Sequence, residues 1–186
     1  MESMLIVAAL RVVGARKIFE FGTFMGANTL NMAMNTPPDA KIFTLDLGEE
    51  CETEQHSSDA PLSRAHLASK TMLDFHGSAV EGKIKTLSGN SQSYDFSSWK
   101  GSMDFIFIDG GHDLATLSAD TGNAFEMAGN PSCTMWHDYG NREYPELTRY
   151  LDRIAVDREI FHIEDTMLCA WFNDSERLLP LKLGQH

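Results

Sequence analysis

The sequence predicts a doubly wound α/β domain, a mostly parallel sheet with helices on both faces, and three observations carry that expectation. Short apolar runs of strand character alternate with helix-patterned segments along the chain. The first run leads into two glycines four apart, Gly22 and Gly26, and then into a helical pattern. The run at 103–108 is almost unbroken in its apolar character, which is how a strand covered on both faces reads. At 186 residues the chain suits one domain, expected to span 1–186, with a core of useful size.

Residues 4–10 are apolar, but Glu2 stands where a basic leader would begin, and the run is too short to cross a membrane. It is expected to be the buried face of an N-terminal helix. Lys17–Phe21 is the first strand, and a helix follows from about Gly26 with Ala27, Leu30, Ala33 and Met34 at helical spacing. Thr36-Pro-Pro-Asp-Ala40 stops that helix, since proline disfavours continuation. Lys41–Asp46 is the second strand. The polar, acidic stretch 48–61 is a surface loop, and Leu62, Ala65, Ser69, Met72 and Leu73 mark a further helix. A third strand at 83–87 ends in the turn Ser88-Gly-Asn-Ser91.

The fourth strand runs to Asp109. A helix starts near Asp113 with Leu114, Leu117, Thr121 and Phe125 on one side, and Gly129-Asn-Pro131 ends it. Residues 133–136 form the fifth strand. The segment 144–155 is helical, with Leu147, Leu151 and Ile154 in register. Strands at 159–163 and 167–172 are joined by Glu164-Asp-Thr166, too short for a parallel crossover, so they form an antiparallel hairpin.

Composition narrows the function classes. Hydrophobic content of 42% and charged content of 23% are ordinary for a soluble domain. A net charge of −12 argues against a nucleic-acid surface and fits a small-molecule enzyme or an acidic interaction module. Cys51, Cys133 and Cys169 are odd in number and lack metal-site spacing, which points to reduced thiols in the cytoplasm. No membrane segment is expected.

In a doubly wound sheet, ligands bind beyond the carboxyl ends of the strands. Those ends carry Glu20 and Gly22, Asp46, the 88–90 turn, Asp109, and the pair His137 and Asp138. All are polar or glycine, a clustering harder to explain by packing than any single motif. At the first turn, glycine lets the backbone bend, and the helix N-terminus favours a carboxylate or phosphate.

Taken together, Glu20-Phe-Gly-Thr-Phe-Met-Gly26, Thr44-Leu-Asp46, Ser88-Gly-Asn-Ser91, Phe107-Ile-Asp-Gly-Gly-His112 and Trp136-His-Asp-Tyr139 resemble class I S-adenosylmethionine-dependent methyltransferases, nearest the small-molecule O-methyltransferase branches. The resemblance implies a Rossmann-like seven-stranded sheet, order 3-2-1-4-5-7-6, with an antiparallel final strand. It implies that Gly22, Thr23 and Gly26 cradle the methionine part of S-adenosylmethionine, with Asn28 near its carboxylate and Glu20 under its amino group. By the same resemblance Asp46 takes the ribose hydroxyls, Asn90 and Ser91 lie beside the adenine, and Asp109 lies between cofactor and substrate. Some relatives hold a divalent cation at positions matched here by Asp109, His137 and Asp138. Two carboxylates and an imidazole suit Mg²⁺, with the imidazole shifting preference toward Mn²⁺, Fe²⁺ or Zn²⁺. His112 is the first choice of base and His137 the second, if no metal is bound.

Other readings compete. A metal-dependent hydrolase built on Asp109, His112, His137 and Asp138 leaves the glycine turn and Asp46 unexplained. A nicotinamide-dependent oxidoreductase needs a glycine where Glu20 stands, and a carboxylate there repels a pyrophosphate. A non-catalytic module would not require polar strand ends. Most of the methionines are expected to fill the core, and Trp99, Trp136 and Trp171 to be buried anchors. Acceptor cover is expected from the 48–61 loop, the 139–144 segment, or a second subunit of a homodimer.

Overall fold

Both faces of the central strands are apolar because helices cover both sides of the sheet. The computed structural model describes residues 1–47 and 73–173. Its elements are α1 (Glu2–Val12), β1 (Lys17–Phe21), α2 (Ala27–Met34), β2 (Lys41–Asp46), β3 (Ile84–Ser88), β4 (Met103–Ile108), α3 (Leu114–Met127), β5 (Ala128–Trp136), α4 (Pro145–Ala155), β6 (Ile160–His162) and β7 (Cys169–Asn173). The expected 48–61 loop and nearly all of the helix expected from Leu62 lie outside the described residues.

The seven strands form one sheet in the order β3-β2-β1-β4-β5-β7-β6, as the family resemblance implies. β3, β2, β1, β4 and β5 pair in parallel, and β7 runs antiparallel to both β5 and β6. β1 and β4 are the point where the chain reverses its direction of travel across the sheet, where the crevice of such folds opens. In β4, Phe105 and Phe107 enter the core under α1 and α2, while Ile106 and Ile108 enter the core under α3 and α4. Each such side chain contributes about 1.5–3 kcal/mol on burial, so both layers weigh on stability.

Boundaries differ from expectation where packing overrides local pattern. β5 begins at Ala128 rather than 133, because Ala128 and Gly129 are buried and the strand continues straight from α3 despite Pro131, with a register irregularity against β4. The final hairpin strands are shorter and β7 sits one or two residues later than expected. In α1 the buried face is Ile6, Ala9 and Leu10, whereas Met4 points to solvent. Met1, Met34 and Met4 are exposed while Met32, Met103, Met127 and Met135 fill the core, so only some methionines are core fillers. Trp136 is fully buried with its indole N–H donating to Thr121 Oγ1 at 3.0 Å; Trp99 and Trp171 are only partly buried.

Candidate active site

The strand ends expected to bind are knit together by backbone bonds. Gly22 N–H donates to Leu45 O, Gly89 N–H to Asp46 O, Asp109 N–H to Phe21 O, and His137 N–H to Ile108 O. Glu20, Asp46, Asp109 and His137 therefore sit on one rim of the sheet.

Gly22 and Gly26 are required by the protein itself. Gly22 has φ +90°, and a Cβ there would lie 2.2 Å from the Asp109 carbonyl oxygen. Gly26, with φ +85°, caps α2, and a Cβ would strike the Phe75 ring at 2.8 Å. The first glycine thus lets β1 meet the β4 turn, a closer constraint than approach to a ligand.

At the β1–β2 end Glu20 is wholly buried and accepts from Thr29 Oγ1 at 2.5 Å and Thr44 Oγ1 at 2.6 Å. With the Thr44 proton committed to Glu20, the 2.7 Å contact between Thr23 and Thr44 hydroxyls has Thr23 as donor. Burial pushes the Glu20 carboxyl up to about 8, against the pull of the two hydroxyls. Asp46 accepts from Phe24 N–H at 3.1 Å and from Leu47 N–H at 2.8 Å, so it ties the glycine turn to the end of β2. Phe24 in that turn has φ +46°. Asn90 Oδ1 accepts from Gln92 N–H at 2.9 Å, and Ser91 O accepts from Asn123 Nδ2 at 3.4 Å.

The β4–β5 end is a cluster of charge. Donor atoms of Asp109, His137 and Asp138 all lie within 4.8 Å of one another. His137 Nδ1 is 3.2 Å from Asp138 Oδ2 and 3.4 Å from Asp109 Oδ1, buried, yet aligned for a hydrogen bond with neither. Its Nε2 lies 3.2 Å from Glu2 Oε2. Asp138 also takes His112 Nε2 at 2.9 Å and Asn141 Nδ2 at 2.9 Å. It does so from the left-handed region, φ +65°, which Asp tolerates better than most residues. The His112 ring stacks on Tyr144, centroids 3.7 Å apart and planes 7° apart. Asn28 Nδ2 reaches Asp109 Oδ2 at 3.4 Å, joining the two ends of the site.

The charges follow from this geometry. Asp138 raises His137 to about 9, with burial opposing and Asp109 and Glu2 adding to the rise. Burial works to raise Asp138, but the hydrogen bonds from His112 and Asn141 and the adjacent His137 imidazole outweigh it and hold the carboxyl well below the usual range. Burial raises Asp109, with Asp138 adding to it and His137, His112 and Asn28 opposing. Asp109 does not cap the helix that follows; Asp113 does, accepting from Ala115 and Thr116 amides.

Two carboxylates around an imidazole nitrogen that makes no aligned hydrogen bond fit the donor set of a divalent cation. All the residues predicted at the β4 and β5 ends meet here, and the glycine turn is joined to them through Asn28. Sequence reasoning missed Glu2 and Asp120, and named Tyr144 only as the end of a segment expected to cover the acceptor. Asp120 is a buried carboxyl on the inner face of α3, its Oδ2 against the space beside Gly110 and its Oδ1 without a partner. Burial pushes it up to about 7, opposed by a bond to Ser91. Its position between Leu117 and Thr121 on the buried stripe was the available signal.

A seven-stranded sheet in this order, with a glycine turn after β1 and acids after β2 and β4, is the architecture of class I S-adenosylmethionine-dependent methyltransferases. The family model of the methyltransferase domain matches residues 19–139, more than half of the chain, and the chain belongs to that family. Solved structures share the fold. The SAH-bound methyltransferase PaMTH1 of Podospora anserina superposes with a TM-score of 0.69 at 12% identity, over 92% of this chain and 77% of that one. The O-methyltransferase TomG of Streptomyces achromogenes, involved in tomaymycin synthesis and solved with SAM, gives 0.62 at 14%, over 92% and 79%. An O-methyltransferase from Bacillus cereus in complex with SAH gives 0.60 at 15%, over 92% and 80%. The protein is an S-adenosylmethionine-dependent methyltransferase. Among the described residues no helix is long and apolar enough to cross a membrane.

Proposed function

We propose that this methyltransferase moves the methyl group to a hydroxyl of a small-molecule acceptor, beside a divalent cation held by Asp109, His137 and Asp138. The observation that carries the reading is the convergence of those three donors within 4.8 Å, joined through Asn28 to the glycine turn. S-adenosylmethionine, when bound, supplies an electrophilic sulfonium methyl. The cation would supply Lewis acidity toward the acceptor hydroxyl.

The chain's own residues do the rest. Gly22, Thr23 and Gly26 shape the cradle for the methionine end, and Asn28 offers its amide there. Glu20 acts from below, through Thr29 and Thr44, and its burial supports a supporting role rather than direct contact with an amino group. Asp46 offers carboxylate oxygens to the ribose hydroxyls, and the 88–91 turn with Asn90 and Ser91 flanks the adenine. His112, held by Asp138 through Nε2 and stacked on Tyr144, is the first candidate base for the acceptor's proton. Only without a bound cation would His137 be the second candidate base. Fixing the acceptor beside these groups supplies much of the acceleration.

The charge of −12 supports a small molecule over nucleic acid. Free, buried Cys133 and Cys169 support a cytoplasmic setting. The expected homodimer is tested by light scattering. Transfer of radiolabelled methyl to a panel of phenols, alcohols, amines and carboxylates, with and without EDTA and added Mg²⁺ or Mn²⁺, tests the reaction. Labelling of hydroxyl acceptors that chelation abolishes supports the whole reading. Labelling of amines alone overturns the acceptor class, and indifference to EDTA overturns the cation.

A further inference from the structure

Glu2 opens α1, 135 residues before His137, yet its carboxylate lies inside the site. Oε1 accepts the Met167 N–H at 2.7 Å, which fixes the group and turns Oε2 onto His137 Nε2 at 3.2 Å. The imidazole is thus gripped at both nitrogens, by Glu2 on one side and by the Asp109 and Asp138 carboxylates on the other. Nδ1 faces those two carboxylates at 3.2 and 3.4 Å, an arrangement in which a cation shared by three donors would take the place of the imidazolium proton. An imidazole whose Nε2–H is taken by a carboxylate must present the Nδ1 lone pair, and it becomes a more basic ligand.

We propose that Glu2 is a positioning residue of the metal centre: by accepting the Nε2–H it sets His137 as an Nδ1 ligand and couples the docking of α1 to metal loading. The inference rests on the metal reading above. Two consequences follow. An oriented imidazole in the set favours borderline cations such as Zn²⁺, Mn²⁺ or Co²⁺ over Mg²⁺. Metal binding and α1 docking stabilise each other by the same factor, since coupling is reciprocal.

The test uses the full chain and Zn²⁺ alone, with affinity measured by competition against a chromophoric chelator for wild type, E2Q, E2A and H137A. Hydrogen exchange of the α1 amides and the visible spectrum of the Co²⁺-substituted protein are recorded on the same samples. E2A should weaken Zn²⁺ binding about 10- to 100-fold, the usual cost of losing such a partner. E2Q, which keeps an oxygen acceptor, should lose less. Zn²⁺ should slow exchange in α1 of wild type and not of E2A, and the Co²⁺ bands should shift in E2A. A purely structural role would lower the melting temperature of E2A without shifting those bands, which overturns the proposal. Wild-type Zn²⁺ affinity in E2A, alongside loss in H137A, overturns the role of Glu2 and leaves the metal reading standing. No Zn²⁺ binding by wild type, or unchanged binding in H137A, overturns both.

Discussion

The two halves of the site solve the burial of polar groups in opposite ways. Around Glu20 the carboxyl is wholly enclosed, shifted toward its neutral form, and served by a relay of threonine hydroxyls. Around Asp138 the groups are charged, partly open, and held by one residue in a left-handed conformation, with an imidazole nitrogen between two carboxylates. The first is a finished hydrogen-bond network, which stabilises and shapes a turn. The second concentrates uncompensated electrostatics, which is what reactive sites do. The contrast sets a β1–β2 end whose polar groups are closed among themselves beside a β4–β5 end whose charges converge on one point, which fits the chemistry proposed there.

The comparison breaks most severely at Gly22, where the two halves touch. Gly22→Ala would drive a Cβ into the Asp109 carbonyl at positive φ, and should cost more than about 4 kcal/mol in chemical denaturation. A variant of wild-type stability would show that the turn can open away from β4. Next in size, Asp138→Ala should reduce kcat by about 10²- to 10⁴-fold while S-adenosylmethionine affinity, read by calorimetry, changes little. Asp46→Ala should do the reverse, weakening cofactor binding about 10-fold or more and sparing kcat. Equal losses in both quantities for both variants would erase the division of labour.

Stability against pH sharpens the picture. Glu20 and Asp120 have folded-state values raised to about 8 and about 7. The native state therefore binds more protons than the unfolded chain between roughly pH 4.5 and 8, and stability should fall as pH rises through that window. Asp120→Asn, neutral throughout, should remove a share on the order of 2 kcal/mol of that fall in denaturant midpoints taken at pH 5 and pH 8. An unchanged slope would mean Asp120 is ionised in the native state. The smallest effect is expected at Thr44→Val, about 1–2 kcal/mol in thermal melting with kcat preserved, because one hydroxyl of the relay is lost.

Much of this was legible from residue order alone. The apolar run 103–108 announced a strand buried on both faces, and its two alternating sets do enter two cores. Asp109, His137 and Asp138 could be paired in advance because parallel strands place their carboxyl ends on one rim. The bounds of β5 were not legible, since Pro131 reads locally as a break and only pairing with β4 and β7 keeps the strand going. Asp120 was hidden because a carboxylate in a helix reads as solvated until its neighbours are known.

The order of apolar and polar runs, acting through the local periods of helix and strand, determined the α/β class and the rim on which the site lies, while the strand order was legible only through the family resemblance. Only the tertiary structure decided which side chains meet there. Glu2 and His137, 135 residues apart, and Gly22 and Asp109, 87 apart, come into contact through a sheet that no local propensity encodes. The physical reason is that burial, hydrogen-bond geometry and pKa depend on neighbours in space, which the folded sheet supplies and the chain order does not.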